Sequence, residues 1–170
     1  VEAGTLSHYV DGISLKWPND LLVDGRKLAG ILVDVHGIAE GPVDTETGIG
    51  LNLRMPRLSG DEIDQTWIDL ESVAGREFSR NELAAELSLA VLEAFETFNG
   101  SRLASYMDAW RRYDNWHGRQ VQLVRGERVV SGIHAGVAND GSLRLEVDGR
   151  VEHFHSGEVS LREGGNHERV

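Results

Sequence analysis

The sequence predicts an α+β protein: a mixed β-sheet with packed helices, followed by a small β-barrel. Three observations carry this expectation. Residues 1–53 are glycine-punctuated and alternate in strand fashion, "SRNEL" opens a long amphipathic helix at Ser79, and everything after Trp116 breaks into short strands divided by turns.

The first part is justified strand by strand. In "GISLKW", Ile13, Leu15 and Trp17 alternate with polar or small neighbours, the two-residue period of a strand. Pro18 has no N–H and ends the pairing. Two apolar runs then flank Asp24-Gly25, a dipeptide whose ready access to positive φ makes it a strong hairpin signal. "GIGLNL" (48–53) reads as another short strand, with glycines where a backbone approaches closely. Trp17 is expected to pack in a core.

Residues 79–99 are expected to be helical. Ser79 and Glu82 form a capping box, Leu83, Leu87, Val91, Phe95 and Phe98 form an apolar stripe, and Gly100 is the stop. A second helix over 102–113 turns Leu103, Tyr106, Met107, Trp110 and Tyr113 inward. From Trp116 the strands "RQVQLVRG", "RVVSGIHAGVA", "SLRLEV" and "RVEHFHSGEVSL" are divided by turns at 139–141 and Asp148-Gly149, which suits a small barrel. Residues 164–170 read as a tail.

Composition excludes several classes. The chain has 170 residues, 40% hydrophobic and 26% charged, as in ordinary globular domains. No apolar run approaches the roughly 18 residues that a membrane span needs, and the N-terminal residues lack the basic and apolar regions of a signal peptide. With no cysteine, disulfides, thiolate metal sites and cysteine nucleophiles are excluded, and a cytoplasmic location is expected. The net charge of −11 argues against nucleic-acid binding, which needs clustered cations. His153 and His155 share a strand face, yet no third ligand stands near them in sequence, which argues against a metal pair.

The lysines are the unusual feature. Of 17 basic residues only Lys16 and Lys27 are lysine, and they lie eleven positions apart. The strand–corner–hairpin pattern puts one near the end of a strand and the other at the start of a later strand, so both ammonium groups are expected to converge on one anion. Lysine is a compact point charge with rotatable donors, whereas arginine is a rigid fork. A phosphoryl group that changes geometry during reaction suits the former.

"KWPND" followed by "GRKLAGIL" resembles the signature of the biotin protein ligases. "GIGLN" (48–52), "WIDL" (67–70), "SRNEL" (79–83) and "GEVSLR" (157–162) follow in the order found in that family. The resemblance implies a biotin/lipoate ligase-like catalytic domain, of which residues 1–115 are the C-terminal portion, and an SH3-like C-terminal barrel over 116–163. It implies an enzyme that activates biotin with ATP to biotinyl-5′-AMP, then passes biotin to one lysine of a carrier domain such as that of acetyl-CoA carboxylase. It implies Lys27 as the catalytic lysine, contacting the biotin carboxylate and the α-phosphate, with Asp20 orienting the incoming amine. Biotin would lie against Lys27, Gly30, Leu32 and Gly48. ATP would be held by Lys16, Asn19, Asn52, Trp67 (stacked on adenine), Arg80, Glu158 and Arg162. Asn52 would also offer a hard oxygen to Mg²⁺. The strand 28–36 is expected to pair with its copy in a homodimer.

The chain also departs from the family's pattern. The family's Gly/Arg-rich loop precedes KWPND, and these 170 residues contain no such segment, so the sequence reads as a fragment. Asp44, Thr45, Glu46 and Thr47 stand where an apolar strand is usual and are expected to be exposed or locally different. No winged-helix domain is present to support a repressor role. Two other readings stand beside the ligase: a lipoate-ligase-like enzyme, and a non-catalytic module of the same fold that binds a ligand or partner. A biotin carrier is excluded, because neither lysine has the exposed-turn setting of an acceptor.

Overall fold

The computed structural model describes residues 2–37, 43–56, 66–98, 103–155 and 160–163. Its contacts divide the chain into two units. The first comprises residues 1–14 and 19–96, and the second comprises Leu15–Pro18 and Thr97–Val170.

The first unit begins with helix α1 (Glu2–Leu6). Strands β1 (Ile13–Lys16), β2 (Asp20–Val23), β3 (Arg26–Gly37) and β4 (Val43–Leu51) lie in one sheet in that order. The hairpin forms where Asp24-Gly25 requires it: both residues have positive φ, 50° and 74°, as a tight two-residue turn needs. All four residues of β2 are buried, so this strand is covered on both faces and reads as a run rather than an alternation.

Strands β2 and β3 pair antiparallel, but the register slips. Asp20 faces Gly30 and Leu21 faces Ala29, whereas Leu22 faces Lys27, which leaves Leu28 as an extra residue in β3. Such a bulge bends a strand and re-aims its side chains. Beyond Ile31 the β3–β4 pairing runs on as an arm to Gly37 and Val43. Asp44, Thr45 and Glu46 are strand residues and exposed. Leu32, Val33 and Val35 are exposed too, at 61%, 51% and 63%, so neither face of the arm is covered.

After β4 come helix α2 (Leu70–Ala74) and helix α3 (Arg80–Thr97). Asp69 caps α2 by accepting from the Ser72 amide at 2.9 Å, and Gly75 closes it in the left-handed conformation at φ 66°. Ser79 caps α3: its hydroxyl receives the Glu82 amide. The apolar stripe on α3 is buried for only part of its length. Leu83 and Leu87 are covered, while Phe95 and Phe98 are each 49% exposed. Ile49 and Leu51 of β4, with Leu53 beyond it, line one groove with Leu83, Ala84, Leu87 and Ser88 in the first turns of the helix. Gly100, the expected stop, lies outside the described residues.

The second unit contains helix α4 (Leu103–Tyr113) and five strands: β5 (Gln120–Arg125), β6 (Arg128–Val137), β7 (Leu143–Val147), β8 (Arg150–Phe154) and β9 (Ser160–Glu163). They form an antiparallel SH3-like sheet in the order β8-β7-β6-β5-β9. Its core gathers Met107, Val121, Leu123, Val137, Leu143, Leu145 and Leu161 with Trp17, and Trp110 and Trp116 pack against it. Trp17 therefore packs in a core as expected, and its indole N–H donates to the Gly141 carbonyl at 3.0 Å. Most buried indoles find such a partner.

Candidate active site

A groove of about 590 Å³ opens on the first unit, lined by Asn19, Lys27, Gly30, Ile31, Leu32, Gly48, Ile49, Gly50, Leu51 and Asn52. Six of the residues expected at a ligand site thus meet in one place: Asn19, Lys27, Gly30, Leu32, Gly48 and Asn52. The register explains the floor. Gly30 faces Gly50 and Leu32 faces Gly48, so two rungs of the ladder carry glycine where side chains would fill the groove. Gly50 was not singled out from the sequence. The signal was present, because Gly48, Gly50 and Asn52 fall on one face by the two-residue period.

Lys27 is held by Asp20. The ammonium lies 2.6 Å from Asp20 Oδ1, with the lysine side chain 36% exposed and the aspartate 10%. At that exposure an ion pair contributes about 1 kcal/mol or less to stability. Its consequence is therefore positional: the nitrogen is pinned at the groove wall with one face open. A Cβ on Gly30 would meet Lys27 Nζ at 3.1 Å, Lys27 Cε at 3.2 Å and Asp20 Oδ1 at 3.3 Å. Gly30 is the space that the pair occupies.

Asn19 continues the β2–β3 ladder. Its carbonyl accepts from the Ile31 amide at 2.9 Å, and its Nδ2 donates to the Ile31 carbonyl at 2.6 Å. Asn52 stands one residue past β4. Its amide donates to the Leu28 carbonyl at 2.9 Å, and its Nδ2 donates to the carbonyls of Lys27 at 3.1 Å and Ile68 at 3.2 Å. The carboxamide oxygen is the atom of this side chain that a ligand can use. Trp67 reaches Lys27 through the backbone. The Lys27 amide donates to the Thr66 carbonyl, and the Ile68 amide donates to the Lys27 carbonyl, both at 2.9 Å, a parallel bridge that pairs the backbones of Lys27 and half-buried Trp67; Trp67 itself does not line the groove. Sequence spacing gave no sign of this bridge.

Four other expected residues are not among those lining this groove. Arg80, exposed at the start of α3, lines a separate groove of about 330 Å³ with Ile49, Leu51, Leu53, Leu83 and Leu87. Lys16 ends β1, is buried, and clusters with the second unit. Arg162 is exposed on β9 opposite Gln122, also in the second unit. Glu158 lies outside the described residues. The His153 ring meets the Ser142 hydroxyl at 3.0 Å. Among the described residues no three His, Asp or Glu side chains gather as a metal site, and no helix is long and apolar enough to cross a membrane.

Residues 7–52 match the model of the Biotin/lipoate A/B protein ligase family, which places the groove in the class of biotin and lipoate ligases. Residues 117–162 match the model of the Biotin protein ligase C terminal domain. The bifunctional ligase/repressor BirA of Salmonella typhimurium is 40% identical over 152 residues, covering 89% of this chain and 47% of its own length. The biotin–[acetyl-CoA-carboxylase] ligase of Mycobacterium tuberculosis is 33% identical over 149 residues, covering 85% of this chain and 52% of its own length. The structure of the biotin protein ligase from Aquifex aeolicus in complex with biotin and ATP shares the fold at a TM-score of 0.79 and 23% identity, covering 95% of this chain and 67% of that one. The chain belongs to the biotin protein ligase family. It spans about half the length of the curated relatives it matches.

Proposed function

We propose that this chain is the part of a biotin protein ligase that carries the reacting lysine. In that reaction a biotin carboxylate oxygen attacks the α-phosphorus of ATP, pyrophosphate leaves, and biotinyl-5′-AMP forms. The amine of a carrier lysine then attacks the acyl carbon and AMP leaves. The observation that carries this reading is the Lys27 ammonium held by Asp20 beside a glycine-floored groove. A fixed cation there offsets charge that builds on the carboxylate and phosphate oxygens in the transition state.

In this reading biotin runs along Gly30, Leu32 and Gly48, with the exposed Leu32 side chain supplying apolar contact. Asn19, Asn52 and Trp67 serve ATP beside Lys27; the resemblance alone assigns Lys16, Arg80, Glu158 and Arg162 to the nucleotide end, and Arg80 lines a neighbouring groove that shares Ile49 and Leu51 with this one. Asp20 fixes the catalytic ammonium and stands where the incoming amine arrives. Mg²⁺ enters with the ATP phosphates. The Asn52 carboxamide oxygen fits it as a single hard ligand, and the phosphates supply further oxygens. Residues 1–115 are the C-terminal portion of the catalytic domain and 116–163 the C-terminal domain. The partner is the biotin carrier domain of a carboxylase, in the cytoplasm. The outer edge of β3 beyond Ile31, which no strand of the described residues covers, is where a second copy would pair in a homodimer.

The test uses the full-length gene product with biotin, Mg²⁺-ATP and a carrier domain. Wild type should form biotinyl-5′-AMP and label the carrier, and Lys27→Ala should lose about two to three orders of magnitude. A Lys27→Ala variant as active as wild type would remove Lys27 from the chemistry. Activity with lipoate in place of biotin would move the protein to the neighbouring branch of its class.

A further inference from the structure

Asn52 stands where three backbone segments meet: β3 at Lys27-Leu28, the end of β4, and the segment 66–68. Its amide nitrogen donates to the Leu28 carbonyl, the extra residue of the bulge, and its carbonyl accepts from Leu70 at 2.8 Å. The two hydrogens of its side-chain nitrogen go to the carbonyls of Lys27 and Ile68. The Lys27 carbonyl therefore receives both the Ile68 amide and the Asn52 side chain. These contacts brace the bulge from the β4 side and tie the strand bearing Trp67 to the residue bearing the ammonium.

We infer that Asn52 is a positioning residue for Lys27 and Trp67. Its carboxamide nitrogen acts as a clamp across the bulge, whatever its oxygen does for a ligand. Donor capacity is the feature that matters. A carboxylate of the same size keeps the oxygen ligand and accepts only, so against two carbonyls it repels where the amide bonds. This role bears on catalysis through the ligase reading given above, while the clamp itself stands on the backbone geometry.

Asn52→Asp separates the two roles, because it preserves a hard oxygen for a cation and removes the clamp. Hydrogen exchange of the full-length protein, without nucleotide, should show the Lys27 and Ile68 amides losing protection by about tenfold or more. The Leu145 amide on β7, in the other unit, serves as the internal reference. Asn52→Ser, which adds no buried charge, gives the same comparison should the carboxylate variant unfold. In activity assays, Asn52→Asp should lose as much biotinyl-adenylate formation as Asn52→Ala. Unchanged exchange at both amides would overturn the proposal. So would an Asn52→Asp variant with wild-type activity beside an inactive Asn52→Ala, since that pattern assigns the residue to a cation. Lost protection in a protein whose wild type makes no adenylate would keep the clamp and overturn only the ligase reading.

Discussion

Lys27 and Gly30 share one face of β3 although they are three residues apart. On a regular strand, residues an odd number apart point to opposite faces. The bulge at Leu28 removes that conflict: Gly30 faces Asp20, Lys27 faces Leu22, and the ammonium lies 3.1 Å from where a Cβ on Gly30 would stand. A methyl group at Gly30 would press on the ammonium and on Asp20 Oδ1 at distances tighter than ordinary contact. Gly30→Ala should therefore cut biotinyl-adenylate formation by about tenfold or more. It should leave the melting temperature close to the wild-type value, because the roughly 0.5–1 kcal/mol by which alanine is favoured over glycine in a strand offsets the similar cost of displacing the ion pair. Steady-state kinetics with thermal melts check this. Full activity would show that the lysine moves without consequence.

Trp17 belongs to a ligase signature, yet its side chain lies in the core of the second unit with a hydrogen bond to Gly141. Trp17→Ala should destabilise that unit by about 3–5 kcal/mol. Denaturant unfolding followed by exchange at β7 amides would show the loss in the second unit. A smaller loss in β7 than in β2 would contradict the placement.

His134 is almost wholly buried, and that burial lowers its pKa, with Asp114 acting in the opposite direction. Asp114, His117 and Arg144 are the charged or titratable groups that bear on it. Its Nδ1 accepts the Gly136 amide at 2.9 Å, so the neutral ring carries its proton on Nε2, 3.8 Å from Asp114. Below the ordinary histidine value of 6.5 the unfolded chain binds a proton that the folded one resists. Stability is then present above that pH and falls as the pH drops below it. His134→Asn keeps an acceptor for Gly136 and removes the titration. Melting temperature plotted from pH 7.5 down to about 5.5 should fall less steeply for the variant than for wild type; equal slopes would clear His134.

Glu2 shows the opposite sign. Burial raises its carboxyl pKa from 4.5 to about 7, and among the described residues neither side-chain oxygen has a hydrogen-bond partner. The folded state holds a proton that the unfolded chain releases, so stability declines as the pH rises from 4.5 to about 7. Glu2→Gln should match wild type near pH 4.5 and exceed it at pH 8, by up to roughly 3 kcal/mol. Chemical denaturation at the two pH values measures this. An equal difference at both would show that folding does not raise the pKa of this carboxyl.

Local rules determined the elements. Alternation marked the strands, Asp24-Gly25 and Asp148-Gly149 adopt the positive φ that their turns require, and Ser79 caps the long helix. The order of motifs marked the family, and Lys27, Gly30, Leu32, Gly48, Asn19 and Asn52 fall in one groove. The turns and caps depend on a residue and its near neighbours, which a sequence displays directly, whereas the shared groove was expected from the family's motifs and is built by the register of β3 against β4. Tertiary structure decided what depends on register and on distant partners. The slip at Leu28 turned Lys27 onto the face of Gly30, the segment 66–68 added Trp67 to the strand edge, and Arg80 went to a different groove. Periodicity also extended the apolar stripe of α3 to Phe98, yet Leu83 and Leu87 are buried while Phe95 and Phe98 stand half exposed. The apolar pattern states which face of a helix is available for burial. How much of that face is covered depends on which distant residues pack opposite it, and that is decided only by the tertiary structure.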